Sequence, residues 1–118
     1  MENRFHKYQG TGNDFILIDD RELQFPDDLT VIETLCHRRF GIGADGLILI
    51  RNHPDYDFEM VYYNSDGTQS MCGNGSRCAV HFAKSLGMTT DRTTFMSTDG
   101  PHEATIKGDI VSVQLYDV

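Results

Sequence analysis

Short runs of apolar or alternating residues recur along the chain, separated by turn residues, and this pattern predicts successive β-strands. A Gly-rich cluster joins the first two runs and predicts a hairpin whose tip carries Asn13. Gly108 and Asp109 predict a two-residue hairpin turn before the last strand. The predicted strands are Phe5–Tyr8, Phe15–Ile18, Leu47–Ile50, Phe58–Tyr63, Thr93–Thr98, His102–Lys107 and Val111–Tyr116.

Two segments instead repeat apolar residues at helical spacing. The first predicts a helix over Leu29–Phe40, with an aspartate at 27 or 28 as N-cap and Gly41 as its end. The second predicts a helix over Asn74–Leu86 that ends at Gly87. Its apolar residues cover more than one stripe, so we expect this helix to be buried against several elements.

The 118 residues suffice for one domain, and no linker or repeat divides them, so we expect 1–118 to be a single domain. The chain stops directly after a predicted strand, with no closing element, so we expect it to be one domain of a longer protein. Its net charge of −8 argues against nonspecific binding to nucleic acid or to an anionic membrane surface. No apolar run reaches membrane-spanning length and no signal-peptide core is present, so we expect a cytoplasmic protein.

The strongest candidate for chemistry is Cys72, which directly precedes Gly73, Asn74 and the second predicted helix. A thiol at a helix N-terminus faces unpaired backbone N–H groups and the positive end of the helix dipole, and both lower the pKa of the thiol. The same N–H groups can hold a carboxylate or phosphate. The segment therefore offers a thiolate, acting as nucleophile or as base, beside an anion site.

The remaining candidates carry less information. Cys36 and Cys78 lie on apolar helical stripes and are expected to pack in the core. Three cysteines without a CxxC pair and matching histidines predict reduced thiols and no metal. Asn13 and Asn64 lie in turn clusters, where asparagine is common for backbone reasons alone. The glycine-rich loop 41–46 matches neither phosphate-binding motif and is interpreted as a structural turn.

Taken together, three segments resemble the N-terminal half of diaminopimelate epimerase, in that family's order and over nearly the whole chain. The first is Lys7-Tyr8-Gln9-Gly10-Thr11-Gly12-Asn13-Asp14-Phe15, and the second is Arg38-Arg39-Phe40-Gly41-Ile42-Gly43-Ala44-Asp45-Gly46. The third runs from Tyr63-Asn64-Ser65-Asp66-Gly67 to Cys72-Gly73-Asn74-Gly75-Ser76-Arg77-Cys78. The combination of Asn-Ser-Asp-Gly with Cys-Gly-Asn-Gly is highly specific.

The resemblance implies an α+β domain with a mixed, largely antiparallel sheet wrapped around a central helix. It implies a cofactor-independent isomerase that interconverts LL- and meso-diaminopimelate in lysine and peptidoglycan precursor synthesis. Cys72 resembles the thiol that handles the α-proton on one face of the substrate. Gly73 and Asn74 resemble the backbone donors to the α-carboxylate, and Asn13 and Asn64 resemble side-chain contacts to the substrate.

The same resemblance implies a second, pseudo-symmetric C-terminal domain that this chain lacks and that carries the second cysteine. We therefore expect the chain alone to be inactive and the absent domain to be its partner, and a homodimer stays open. Some members of the family have a glutamine where Gly46 stands, so Gly46 is not counted as a site residue.

Other readings of the same residues stay open. One is a different isomerase of this fold, proline-racemase-like or PhzF-like, although a cysteine at 72 disfavours the PhzF-like group, which works with carboxylates. A second is a non-catalytic module that binds a small anion at the helix end. A third is an interaction domain, in which Cys72 would be an ordinary thiol.

Overall fold

A computed structural model describes residues 5–10, 13–23, 25, 29–39, 41, 43–65, 73–98, 100–108 and 110–114. The strands are β1 (Phe5–Gly10), β2 (Asn13–Asp19), β3 (Gly46–Arg51), β4 (Phe58–Asn64), β5 (Arg92–Ser97), β6 (Gly100–Lys107) and β7 (Ile110–Gln114). The helices are α1 (Leu29–Cys36), between β2 and β3, and α2 (Gly73–Ser85), between β4 and β5. All seven predicted strands are confirmed, with bounds that differ from the predicted ones by at most two residues; the predicted last residues of the seventh strand lie outside the described residues.

One mixed sheet contains the seven strands in chain order, β1 to β7. The pairs β2–β3 and β4–β5 are parallel and enclose α1 and α2, and the other four pairings are antiparallel. Strand direction reverses between β3 and β4. Because crossovers between parallel strands are right-handed, this reversal places the two helices on opposite faces of the sheet.

The buried side chains accordingly form one apolar cluster on each face of the sheet. Along β2, Phe15 and Leu17 belong to the cluster under α2, whereas Ile16 and Ile18 belong to the cluster under α1. Helix α2 contacts β1 and β7, the two edge strands, as well as β2, β3 and β4. The sheet is therefore curled on its α2 side, and the predicted burial of this helix against several elements is confirmed.

The predicted end of α2 is confirmed by its hydrogen bonds. The amide of Gly87 donates to the Lys84 carbonyl at 3.0 Å, and the amide of Met88 donates to the Ala83 carbonyl at 3.0 Å. Gly87 has a φ of 78°. This pairing is the Schellman motif, in which a glycine in the left-handed region closes the helix.

The predicted end of α1 is wrong, since the helix ends at Cys36 and not near residue 40. The chain turns back there, so that the amides of Gly43 and Ala44 donate to the carbonyls of Leu35 and Cys36 at 3.1 and 3.0 Å. A β-carbon on Gly41 would lie 2.0 Å from the Thr34 carbonyl oxygen, so this glycine is needed for close backbone approach. The aspartates at 27 and 28, predicted as N-cap, lie outside the described residues.

Within the described part of the chain, neither helix has an apolar stretch long enough to span a membrane.

Candidate functional site

Three strand ends meet at one edge of the sheet, which we call the site edge. Asn13 is the first residue of β2, Gly46 is the first residue of β3, and Asn64 is the last residue of β4. Gly46 lies opposite Asn64 in the β3–β4 register, and it pairs with Phe15 of β2, two residues beyond Asn13. The sheet thus brings together the two asparagines that the sequence analysis singled out.

The N-terminus of α2 lies against the same edge. A β-carbon on Gly75, in the first turn, would lie 3.2 Å from Cδ1 of Ile48 and 3.4 Å from the ring of Tyr62. Ile48 and Tyr62 are each two residues inward from the ends of their strands. The first turn of α2 therefore packs over the ends of β3 and β4.

The first turn of α2 favours anions. Gly73 and Asn74 are the first two residues of the helix, and no acidic residue lies in this turn. The first N–H groups of a helix have no partner within it, and the helix dipole places positive potential there. Cys72, the predicted catalytic residue, lies outside the described residues but directly precedes this helix in the chain.

Asn64 is partly buried. Alternation along β4 places it on the same face as Tyr62, which belongs to the cluster under α2. This orientation directs Asn64 toward the side of the sheet on which α2 lies. For Asn13 the structure gives the strand position and its pairing with Gly10 across the hairpin.

Sequence reasoning missed an ion-pair network beside the site edge. The guanidinium of Arg38 donates to Oδ2 of Asp14 at 2.8 Å and to Oδ1 of Asp45 at 3.0 Å. Lys7 adds a longer contact, 3.6 Å from its Nζ to Oδ2 of Asp14. The hydrogen bond from Arg38 holds the pKa of the Asp14 carboxyl below its usual value, against partial desolvation. The only sequence signal was that both aspartates directly adjoin residues of the site edge.

Cys36 and Cys78 are buried and form no disulfide, which confirms the predicted packing role of both. Cys36 lies in the cluster under α1 and Cys78 in the cluster under α2. Burial raises the pKa of the Cys36 thiol to about 11, so it stays protonated at neutral pH. A thiolate at neutral pH is therefore not expected from Cys36.

The structure leaves no room for a side chain at position 46. A β-carbon there would lie 2.6 Å from the hydroxyl oxygen of Tyr62 and 2.8 Å from two of its ring carbons. Tyr62 is only 5% exposed, and its ring is confined between Gly46 and Gly75. Tyr62 thus occupies the space that a larger side chain at 46, such as glutamine, would need.

Gly46→Ala is expected to lower the free energy of unfolding by about 2 kcal/mol, because the added methyl overpacks a buried site. Urea unfolding of the two proteins measures this difference. In a Tyr62→Leu background the same substitution should cost at least about 1 kcal/mol less, since the colliding ring is gone.

Tyr63→Leu provides the matched control for this double-mutant cycle. Tyr63 is also 5% exposed but belongs to the cluster on the opposite face, so its truncation should leave the cost of Gly46→Ala unchanged. Equal costs of Gly46→Ala in all three backgrounds would contradict the proposed collision.

Among the described residues, no three His, Cys, Asp or Glu side chains are arranged to hold a metal ion.

Comparison with known proteins identifies relatives of the whole chain. The sequence model of the family described as diaminopimelate epimerase matches residues 5–116. Diaminopimelate epimerase of Flavobacterium psychrophilum is 59% identical over 118 residues, 98% of this chain and 46% of that protein. The proteins of the same name from Nitratiruptor sp. and Campylobacter lari are 44% and 43% identical over 92% and 98% of this chain. The chain spans less than half the length of each of these relatives.

Solved structures support the fold. A PhzF-family phenazine biosynthesis protein from Enterococcus faecalis superposes with a TM-score of 0.70 at 10% identity, over 92% of this chain and 42% of that one. Methylitaconate-delta-isomerase superposes with a TM-score of 0.63 at 17% identity, over 92% of this chain and 36% of that one. At such low identity the likeness concerns the fold alone. The family match over residues 5–116 and the identities above show that the chain belongs to the diaminopimelate epimerase family, of which it corresponds to an N-terminal half.

Proposed function

We propose that the full-length protein containing this chain is an epimerase that interconverts LL- and meso-diaminopimelate without a cofactor. The observation that carries the proposal is the match of the diaminopimelate epimerase family to residues 5–116, with 59% identity to a relative of that name. The geometry of the site edge supports it, because the strand ends and the first turn of α2 together form a place for a small anionic substrate.

In this proposal Cys72 removes or returns the α-proton on one face of the substrate. The thiolate takes the proton from the α-carbon, and the electron pair stays on carbon in a carbanion-like transition state. The substrate's α-carboxylate accepts hydrogen bonds from the backbone N–H groups of Gly73 and Asn74. Fixed donors aimed at developing negative charge stabilise such a transition state electrostatically. No acidic residue lies in the first turn of α2, so no carboxylate of that turn repels the substrate's α-carboxylate.

Asn13 and Asn64 are proposed as substrate contacts that orient the α-carbon toward the thiolate. Both residues lie at the site edge, at the beginning of β2 and the end of β4. Strand ends are rigid supports, and precise orientation of reacting groups accounts for a large share of many enzymatic rate enhancements.

The second half of the full-length protein is proposed to carry the acid that protonates the opposite face. Inversion at carbon requires one group on each face, and the sequence beyond this chain must supply the other. We infer further that the curled sheet wraps around α2 as the central helix of this domain, since α2 contacts both edge strands. That arrangement leaves the N-terminus of α2 at the rim of the domain, where a second domain could close over it.

The experiment is incubation of the full-length protein with LL-diaminopimelate in deuterated water. We expect formation of the meso isomer, with solvent deuterium at the inverted α-carbon, observed by ¹H NMR. L-Proline is the control substrate and should remain unchanged. Inversion of proline in place of diaminopimelate would indicate a proline-racemase-like enzyme. Binding of diaminopimelate without isotope exchange would indicate a non-catalytic module.

A further inference from the structure

Asp45 is hydrogen-bonded to the two residues that follow Asn13 and Asn64 in the chain. The Asp45 carboxylate accepts a hydrogen bond from the backbone amide of Asp14 at 2.9 Å. The backbone amide of Asp45 in turn donates a hydrogen bond to the Asp14 carbonyl at 2.9 Å. Its carbonyl accepts the amide of Ser65 at 3.2 Å. Asp14 follows Asn13 in β2, and Ser65 follows Asn64 at the end of β4. One loop residue therefore connects strands that are not adjacent in the sheet, across the beginning of β3.

Arg38 holds this connection in place. It bridges the carboxylates of Asp14 and Asp45 with two separate N–H donors, at 2.8 and 3.0 Å. The two carboxylates repel one another, and Asp45 opposes the lowering of the Asp14 pKa that Arg38 produces. Without the guanidinium, like charges would face each other across the junction of the 38–45 loop with β2.

We propose that Asp45 and Arg38 are positioning residues that fix the separation of Asn13 and Asn64 across the site edge. This inference rests on the proposed function, in which both asparagines contact the substrate. Neither positioning residue contacts the substrate in this proposal. They act through the hydrogen bonds that join the backbone of Asp14 and Ser65 to Asp45.

Exposure argues against a role in stability alone. The Arg38 side chain is 56% exposed, while its partners Asp45 and Asp14 are 39% and 22% exposed, and ion pairs made by such an exposed arginine contribute little to folding. The backbone hydrogen bonds of Asp45, in contrast, connect it to the beginning of β2 and the end of β4, two of the three strand ends at the site edge. Loss of the network should therefore affect catalysis more than unfolding.

The test uses Arg38→Ala in the full-length protein, with Arg21→Ala as matched control. Like Arg38, Arg21 makes two charge-assisted hydrogen bonds, at 2.8 and 2.6 Å, but both go to one carboxylate, that of Asp19. Its side chain is 36% exposed. It lies just after the opposite end of β2. We expect Arg38→Ala to lower kcat/KM on the order of 10- to 100-fold, because small displacements of orienting groups have effects of that size. The control should stay within about threefold of wild type, since it removes only a surface ion pair.

Two further variants separate positioning from folding. Asp14→Asn in the Arg38→Ala background removes the carboxylate repulsion while the backbone bonds to Asp45 remain, and it should restore part of the lost kcat/KM. Hydrogen exchange at the amides of Asp14 and Ser65 should accelerate in Arg38→Ala and not in Arg21→Ala. Thermal unfolding of the two single variants should shift by similar amounts.

Several results would overturn the proposal. An Arg38→Ala enzyme with kcat/KM within threefold of wild type would do so, as would a loss that only tracks the unfolded fraction. No activity of the wild-type protein on diaminopimelate would refute the proposed function together with this role. Normal wild-type activity combined with an unaffected variant would refute the positioning role alone.

Discussion

Cys72→Ala in the full-length protein is expected to lower kcat for diaminopimelate inversion by about 10³-fold or more, within the range for loss of a general acid–base group. The reason is that alanine can neither accept nor return the α-proton, whereas the proposed N–H donors, Gly73 and Asn74, remain. KM for diaminopimelate should therefore change much less than kcat. Circular dichroism of the inversion, followed over time at several substrate concentrations, measures both constants.

Cys36→Ala is the matched control for this substitution. Cys36 is 3% exposed, its thiol has a pKa of about 11, and it packs under α1 on the face opposite α2. We expect this variant to lose some stability and to keep kcat close to that of wild type. Equal losses of kcat in Cys72→Ala and Cys36→Ala would contradict a specific role for Cys72.

Iodoacetamide offers an independent readout of the same assignment. The buried Cys36 and Cys78 thiols should resist alkylation in the folded protein, so that among the cysteines of this chain inactivation of the wild-type enzyme accompanies modification at position 72. Diaminopimelate should slow that modification. Inactivation that instead follows modification of Cys36 or Cys78 would place the reactive thiol elsewhere.

The 118-residue chain by itself is expected to show no inversion of diaminopimelate and no solvent deuterium uptake. The proposed mechanism needs a proton donor on the face opposite Cys72, and the two described cysteines of this chain, Cys36 and Cys78, are both buried in its apolar clusters. ¹H NMR of LL-diaminopimelate in deuterated water, at equal concentrations of the chain and the full-length protein, measures the difference. Multiple turnovers by the chain alone would contradict the need for a second half.

A matched control separates the missing half from misfolding. The chain should keep the cooperative unfolding expected of two packed apolar clusters, and Gly46→Ala should destabilise it as in the full-length protein. Adding the second half as a separate polypeptide should restore activity if the two associate. Activity restored equally with a Cys72→Ala chain would contradict the two-sided mechanism.

The strands could be predicted because their local pattern matches their environment. In β6, His102, Ala104 and Ile106 are buried, while Glu103 and Thr105 between them are exposed, and this period of two is visible in the letters alone. In β3 the unbroken apolar run Leu47–Ile50 reflects burial on both faces, under α1 and under α2. Such signals depend on the residues themselves and not on their partners.

The remaining features could not be predicted because they depend on contacts between distant parts of the chain. Arg38 reaches Asp14, which lies 24 residues away, and no local period records that pairing. The early end of α1 follows from the return of the chain onto the carbonyls of Leu35 and Cys36, which apolar spacing does not reveal. The exclusion of a side chain at Gly46 depends on the ring of Tyr62 across the β3–β4 pair. Helical spacing and turn residues describe short stretches of the chain, whereas these contacts join residues from separate stretches.

The order of the strands has a consequence for how the protein is made. Every strand pairs with its predecessor in the chain, from β1 to β7. During synthesis each new strand therefore finds its neighbour already available, and short sequence separations favour rapid pairing. Because domains fold as units with the N-terminal one first, this chain can form its sheet before the proposed second half leaves the ribosome. The second half would then assemble against a surface that already exists.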